Sequence, residues 1–203
     1  MISRKYVEYE MHLKTNHRVR DGIPVEYYDL YDRDRRLTGI RARRGDPVPP
    51  DCYRLAIHVC LFNHEGDLLI QKRQPFKRKW SGLWDLSVAG SAICGENSLE
   101  AAERETMEEL GLKIDLIDCR PALTVHWERG FDDIFILTMD IDTESLKLQE
   151  EEVEAVRWSS LEEILTMIDE GIFIPYEKSF VELLFRLRLH RDIHSRSDTS
   201  SLV

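Results

Sequence analysis

The sequence predicts an α/β (α+β) chain in which helices are layered on a sheet. Three observations carry this. Short stretches alternate apolar with other residues, most clearly from Tyr53 onward. Helical stretches with explicit end signals lie between them. Gly, Pro, Asn and Asp punctuate the joins, and there is no internal repeat.

The elements follow in order. Residues 1–24 are polar without a clear period, which suits a helical arm, a flexible lead or an oligomer contact. Tyr27, Tyr28, Leu30 and Tyr31 predict a strand before the charged turn at Asp32, and a short segment over Leu37–Ala42 follows. Gly45-Asp46-Pro47 and Pro49-Pro50 then break the chain, so residues 1–50 read as an N-terminal extension or small subdomain. Leu55, Ile57, Val59 and Leu61 alternate as in a strand, and Glu65-Gly66 turns it back into Leu68–Ile70. After a basic loop at 77–79, Trp84 to Ala89 predicts one strand stopped by Gly90. Asn97 to Leu110 predicts a helix, with Asn97 as N-cap, Glu100 in capping-box position and Gly111 as C-cap. Strands are expected at Leu123–Trp127, Asp133–Asp140 and Val153–Trp158, and helices at Leu161–Glu170 and Ser179–His190. The main domain is thus placed at 51–192, and the Ser-rich residues 193–203 predict a disordered tail.

Composition narrows the function. With 203 residues, 42% of them hydrophobic and 33% charged, the chain suits one principal domain with a packed core. A net charge of −10 argues against nucleic acid and anionic membrane surfaces as partners. No apolar run approaches a membrane span, and the charged start does not read as a signal peptide. The four cysteines form no CxxC pair and read as reduced thiols, so a cytoplasmic location is expected.

The chemistry lies between Gly90 and Leu112. A helix turns about 100° per residue, which puts Glu105, Glu108 and Glu109 within an arc of roughly 100° while Leu99, Thr106 and Leu110 face away. A lone run of helical glutamates is usually a solvated face. Three converging carboxylates repel one another unless a cation fills the space between them. Hard oxygen donors suit Mg²⁺ or Mn²⁺, ions that also hold substrate phosphates. Gly90 lets its carbonyl approach such an ion, and Arg104 is placed to hold a carboxylate by a bidentate pair.

Written out, the stretch is Gly90, five residues, Glu96, seven residues, Arg104-Glu105, then Glu108-Glu109 and Gly111-Leu112. This resembles the box of the Nudix hydrolases, with every fixed identity in register and Thr106 replacing the usual aliphatic residue. The resemblance implies a Nudix-type α/β/α sandwich with a mixed central sheet. It implies metal-dependent attack of water on a diphosphate linkage, in a nucleoside diphosphate derivative or related small diphosphate. Mg²⁺ or Mn²⁺ would be held by Glu105, Glu108, Glu109 and the Gly90 carbonyl. Glu105, or a carboxylate from a later loop, would position or deprotonate the water, Arg104 would orient Glu105, and Glu96 would anchor the loop reaching Gly90. Family members often add a downstream glutamate. Glu150, Glu151 and Glu152 stand in that region, and Glu151 is the candidate carried forward, the choice among the three being open from sequence. Arg73 and Lys77, then Arg78 and Lys79, are candidates for phosphate oxygens, and Trp84, Trp80 and Trp127 for stacking on a base. A homodimer is common in the family.

Lys79-Trp80-Ser81-Gly82-Leu83-Trp84-Asp85-Leu86-Ser87 also resembles the isopentenyl diphosphate isomerases of the same fold. Those enzymes protonate an alkene with a cysteine just after this strand and hold metal with a histidine close behind. Here Ala89 and Ser91 occupy those places, and Cys94 is displaced. Alanine cannot replace a thiol in acid–base work, so the isomerase reading is the alternative, and a non-catalytic nucleotide sensor is a third. Nothing outside the box selects a substrate.

Overall fold

The computed structural model describes residues 26–189. The polar lead at 1–24 and the Ser-rich tail lie outside the described residues. Strands β1 (Tyr27–Tyr31) and β2 (Leu37–Arg43) pair antiparallel as a separate two-stranded sheet. Leu30, Ala42 and Cys52 form a small buried cluster beneath it. The hairpin is tied to the rest of the chain by a β-bridge between Tyr31 and Tyr53 and by Cys94 N donating to the Tyr27 carbonyl at 2.8 Å.

The main sheet is mixed. β3 (Arg54–Phe62) runs parallel to β8 (Gly130–Thr138) along its whole length, and β7 (Leu123–Trp127) pairs antiparallel to β8. β4 (Leu68–Arg73) meets β3 only beside their turn, at Phe62 and Leu68, and then diverges to pair with β9 (Val153–Ser159). The segment expected as one strand at 84–89 is two. β5 (Trp84–Asp85) pairs with β4, and β6 (Val88–Ser91) pairs with β3. The chain crosses between them at Leu86-Ser87. There Asp85 accepts from Leu86 N at 2.8 Å, while the Ser87 hydroxyl accepts from Leu61 N at 2.9 Å and donates to the Leu69 carbonyl at 2.5 Å. One serine thus satisfies backbone groups on both diverging strands. Gly90 consequently lies inside β6 rather than ending a strand. β8 also starts earlier than expected, at Gly130, because Glu128-Arg129 makes a tight turn out of β7.

Helices cover both faces of the sheet, so the α/β/α sandwich expected from the sequence is the architecture of the molecule. Odd-numbered β3 residues (Leu55, Ile57, Val59, Leu61) pack with Ala101, Ala102 and Leu110 of α1 (Ser98–Leu110). On the other face Cys60 and Phe62 pack with α2 (Leu161–Asp169) and α3 (Lys178–Leu189). α1 keeps the predicted ends. Asn97 accepts from Leu99 N and Glu100 N, Glu100 closes the capping box, and Gly111 sits at φ 62° as the left-handed cap. Thr106 is fully buried, its hydroxyl donating to the Ala102 carbonyl at 2.7 Å, so the polar atom costs little inside. No helix among the described residues is long and apolar enough to cross a membrane.

Candidate active site

Where β4 diverges from β3, a cleft of ≈ 1770 Å³ opens beside α1. Glu105, Glu108 and Glu109 line it, together with Gly90. The register explains the contact with Gly90, which pairs with Ile57 and therefore faces α1. A Cβ on Gly90 would run into the Glu105 carboxylate, so only glycine leaves room.

Arg104 organises the approach to this group. Its guanidinium binds Glu96 through two hydrogen bonds, Nε to Oε1 at 2.7 Å and Nη2 to Oε2 at 3.0 Å. Nη2 also donates to the Ser91 carbonyl at 3.0 Å. Nη1 faces Glu105 at 3.1 Å and Glu108 at 2.9 Å. The bidentate partner is thus Glu96 rather than Glu105, and Glu105 shares the remaining arm. Glu96 also accepts from Ile93 N at 3.0 Å, which stitches the 91–96 loop to α1.

The most buried of the three box glutamates is Glu109, only 4% exposed, whose carboxylate accepts from the neutral amide of Gln71 at 3.0 Å. Burial, then the charge of Glu105, push its pKa up to about 8; Gln71 opposes this and Glu152 and Asp85 reinforce it. Burial likewise raises Glu105, against the opposing pull of Arg104 and the Ser91 amide. Hard oxygen donors, a buried carboxylate without a cationic partner and the Gly90 cradle together fit a divalent cation. Among the described residues no three such donors are already drawn around one point. Arg104 accounts for this by holding Glu108 toward itself.

The other expected residues divide. Arg73 lines the cleft but faces Asp85 at 3.6 Å, and Lys77 is paired with Glu152. Glu151 is exposed at the cleft rim, whereas half-buried Glu152 is the acid whose charge reaches Glu109. Trp84 is not part of the cleft lining. Its backbone is held by Ile172 and Ile174, Arg157 covers its ring at 5.2 Å, and it packs against the α2/α3 core. Trp80 and Trp127 line the cleft instead. Arg44, which directly follows β2, also reaches it and pairs with Glu26.

Sequence reasoning missed a polar network on the cleft floor. His58 Nδ1 lies 2.9 Å from Asp132, its Nε2 lies 3.3 Å from Tyr176 Oη, and Tyr176 donates to Asp85 at 2.8 Å. Tyr176 has one proton and gives it to Asp85, so its oxygen accepts from Nε2 while Nδ1 donates to Asp132. That is the bonding pattern a protonated ring makes. Burial works against that charge, but Asp132 and then Asp85 raise the His58 pKa on balance. The available signal was the alternation in β3, which puts Arg54, Ala56 and His58 together on the face away from α1.

A family profile for the NUDIX domain matches residues 53–178. The chain belongs to the Nudix family. It is 46% identical over 170 residues to an uncharacterised Nudix hydrolase of Listeria monocytogenes, covering 84% of this chain and 99% of that one. A solved Deinococcus radiodurans structure superposes with a TM-score of 0.64 at 25% identity, covering 79% of this chain and 98% of that one. An isopentenyl-diphosphate Delta-isomerase of Salmonella arizonae is 33% identical over a shorter stretch, 55% of this chain and 64% of that enzyme. This Nudix protein departs from the isomerase pattern at its cleft. Ala89 and Ser91 line it, and none of the four cysteines does. Cys94 lies in the neighbouring loop, where burial and Asp29 push its thiol up to about 11.

Proposed function

We propose that the protein hydrolyses the diphosphate linkage of a nucleoside diphosphate derivative or related small diphosphate, with Mg²⁺ or Mn²⁺ held by Glu105, Glu108, Glu109 and the Gly90 carbonyl. The observation that carries the reading is Glu109, a nearly fully buried carboxylate among Glu105, Glu152 and Asp85 with only a neutral amide beside it. Burying such a group is costly unless a cation binds beside it. The bound ion would supply Lewis-acid polarisation of the phosphoryl oxygens and a lowered pKa for its water.

The chain's own groups do the rest. Glu105 accepts the proton of the attacking water, its carboxylate held by Ser91 N at 3.3 Å and by Arg104. The water oxygen bonds to one phosphorus, the bridging P–O bond breaks, and the displaced phosphate leaves with that oxygen. Arg104 and Glu96 position Glu105 rather than touch substrate. Lys77 and Arg73 line the route for phosphate oxygens, each already neutralised by an acid. Trp80 and Trp127 offer ring faces to a base. The cleft's volume exceeds what a bare diphosphate needs, which supports a substrate carrying a bulky group.

The test is release of phosphate or nucleoside monophosphate from a panel of nucleoside diphosphate derivatives and prenyl diphosphates, with Mg²⁺ or Mn²⁺, beside Glu109→Gln. Metal-dependent turnover lost in the variant is expected and names the substrate class. Conversion of isopentenyl to dimethylallyl diphosphate without phosphate release would overturn the reading in favour of an isomerase. Nucleotide binding without turnover under saturating metal would favour a sensor.

A further inference from the structure

The cleft floor is a sheet face with one unusual cation. Arg54 opposes Gly130 on β8, and Gly130 in turn pairs with Trp127 on β7. A Cβ at Gly130 would lie 2.6 Å from the Trp127 ring, so the missing side chain lets that ring fold down beside the strand. The Trp127 ring then covers Arg54, with the guanidinium carbon 5.4 Å from its centroid. Tyr28 of the N-terminal hairpin covers it as well, at 5.7 Å.

Of the other arginines and lysines lining this cleft, Arg44 has Glu26, Arg73 has Asp85, Lys77 has Glu152, Arg104 has Glu96 and Arg129 has Glu128, while Arg78 and Lys79 belong to the basic loop at 77–79 and not to the sheet floor. Among the described residues no carboxylate pairs with Arg54, and its buried Nε has no hydrogen-bond partner. A guanidinium stacked against two rings retains its in-plane N–H edge for recognition. With Nε buried, the terminal Nη1/Nη2 edge is the part that meets the cleft. That edge matches two oxygens of one phosphoryl group. The pocket is contiguous with the proposed catalytic end, since Tyr28, Arg44 and Arg54 line the same cleft as Glu105 and Glu109.

The geometry points to Arg54, clamped between Tyr28 and Trp127, as the anion receptor of this cleft, taking a phosphoryl group of the diphosphate substrate through its terminal N–H edge. The assignment rests on the diphosphate hydrolase reading above. It also makes the β1–β2 hairpin part of the substrate site, because Tyr28 forms one side of the clamp.

The experiment pairs kinetics with binding. Inorganic pyrophosphate is titrated calorimetrically, without metal, into wild type, Arg54→Gln, Arg54→Lys and the surface control Lys178→Gln. KM and kcat are measured for the same proteins on the best substrate found. Loss of a charge-assisted fork predicts about tenfold or greater weakening of pyrophosphate binding and a similar rise in KM for Arg54→Gln, with kcat changed less. Arg54→Lys should fall between, because it keeps charge and loses the fork; it also decides the matter if Arg54→Gln does not fold. Lys178→Gln should match wild type. Unchanged KM and pyrophosphate affinity in both Arg54 variants, with melting temperature alone lowered, would make Arg54 a structural pillar and overturn the proposal. So would a wild type that binds no pyrophosphate. Pyrophosphate binding lost in the variants of a protein that hydrolyses nothing would instead sustain the receptor and sink the hydrolase reading.

Discussion

Gln71 on β4 donates its side-chain amide to the carboxylate of Glu109 on α1 at 3.0 Å, across the line where the main sheet separates. A neutral donor in that place leaves the negative charge uncompensated and therefore available to a cation. Glu109→Gln removes the charge while keeping the shape. Turnover should fall on the order of 100-fold or more, as for loss of one group that stabilises transition-state charge. Metal should also stabilise the two proteins differently. At a hundredfold excess over its Kd, a bound ligand adds about 2.7 kcal/mol to folding stability. Melting curves with and without Mg²⁺ should show a clear upward shift in wild type and a much smaller one in the variant. Equal shifts would place the ion elsewhere.

Gly90 and Glu105 compete for one space. Gly90→Ala puts a methyl where the Glu105 carboxylate lies. Overpacking of this kind costs about 1–3 kcal/mol of stability. The expected result is a folded protein with a modestly lower Tm and a kcat reduced far more than Tm suggests, because the displaced group is the proposed base. Full activity in a stably folded Gly90→Ala protein would contradict the close packing.

Glu96 lies within the box but contacts Arg104 and the 91–96 loop, not the cleft floor. Glu96→Gln should weaken the two hydrogen bonds to Arg104 and let its guanidinium swing further onto Glu105 and Glu108. Both partners are partly solvent-exposed, so the stability loss should be about 1–2 kcal/mol. Steady-state kinetics should show kcat falling about tenfold with KM nearly constant, the pattern of a positioning residue. A change confined to KM would mean that Glu96 acts on substrate binding.

His58 gives the protein a pH dependence of known sign. Its folded pKa is raised above the ordinary 6.5, because Asp132 and Asp85 outweigh the burial that opposes the charge. The folded state therefore holds its proton more tightly than the unfolded chain. The stabilisation is complete below 6.5 and is lost as pH rises through the folded value. The Tm difference between wild type and His58→Gln should be larger at pH 5.5 than at high pH. A difference that grows with pH would mean the ring is neutral and the Tyr176 proton lies elsewhere. Asp132, Asp85, Tyr176 and neighbouring Cys60 are the titratable groups around the ring.

The parts legible in the sequence are those whose geometry is local. The box spans one loop and one helix, so helical periodicity alone gathers Glu105, Glu108 and Glu109, and the caps at Asn97 and Gly111 are short-range hydrogen-bond patterns. The network of His58 was not legible, since its partners lie 74 and 118 residues away and meet only through strand register and the packing of α3. Which tryptophans line the cleft was not legible for a similar reason. Trp84 is drawn into the α2/α3 core by backbone bonds from 172 and 174, which nothing near it in sequence announces. Which of Glu150, Glu151 and Glu152 turns toward Glu109 depends on the register just before the buried Val153 at the start of β9, a one-residue matter that periodicity does not resolve.

The β1–β2 hairpin lies before residue 53, where the match to the shared domain begins. Removing the chain before residue 53 would keep every box residue and all of α3, and would lose the Tyr28 ring over Arg54. It would also lose the Asp29 carboxylate that accepts from Gly95 N at 2.7 Å and the Arg35 side chain that covers Phe131 and pairs with Asp133. On the proposed reading, the remaining piece would keep the catalytic helix and lack one wall of the phosphoryl site. Relatives that share the catalytic helix but differ in this hairpin should therefore diverge in what they cut, and swapping the hairpin between two of them should exchange preference without exchanging mechanism.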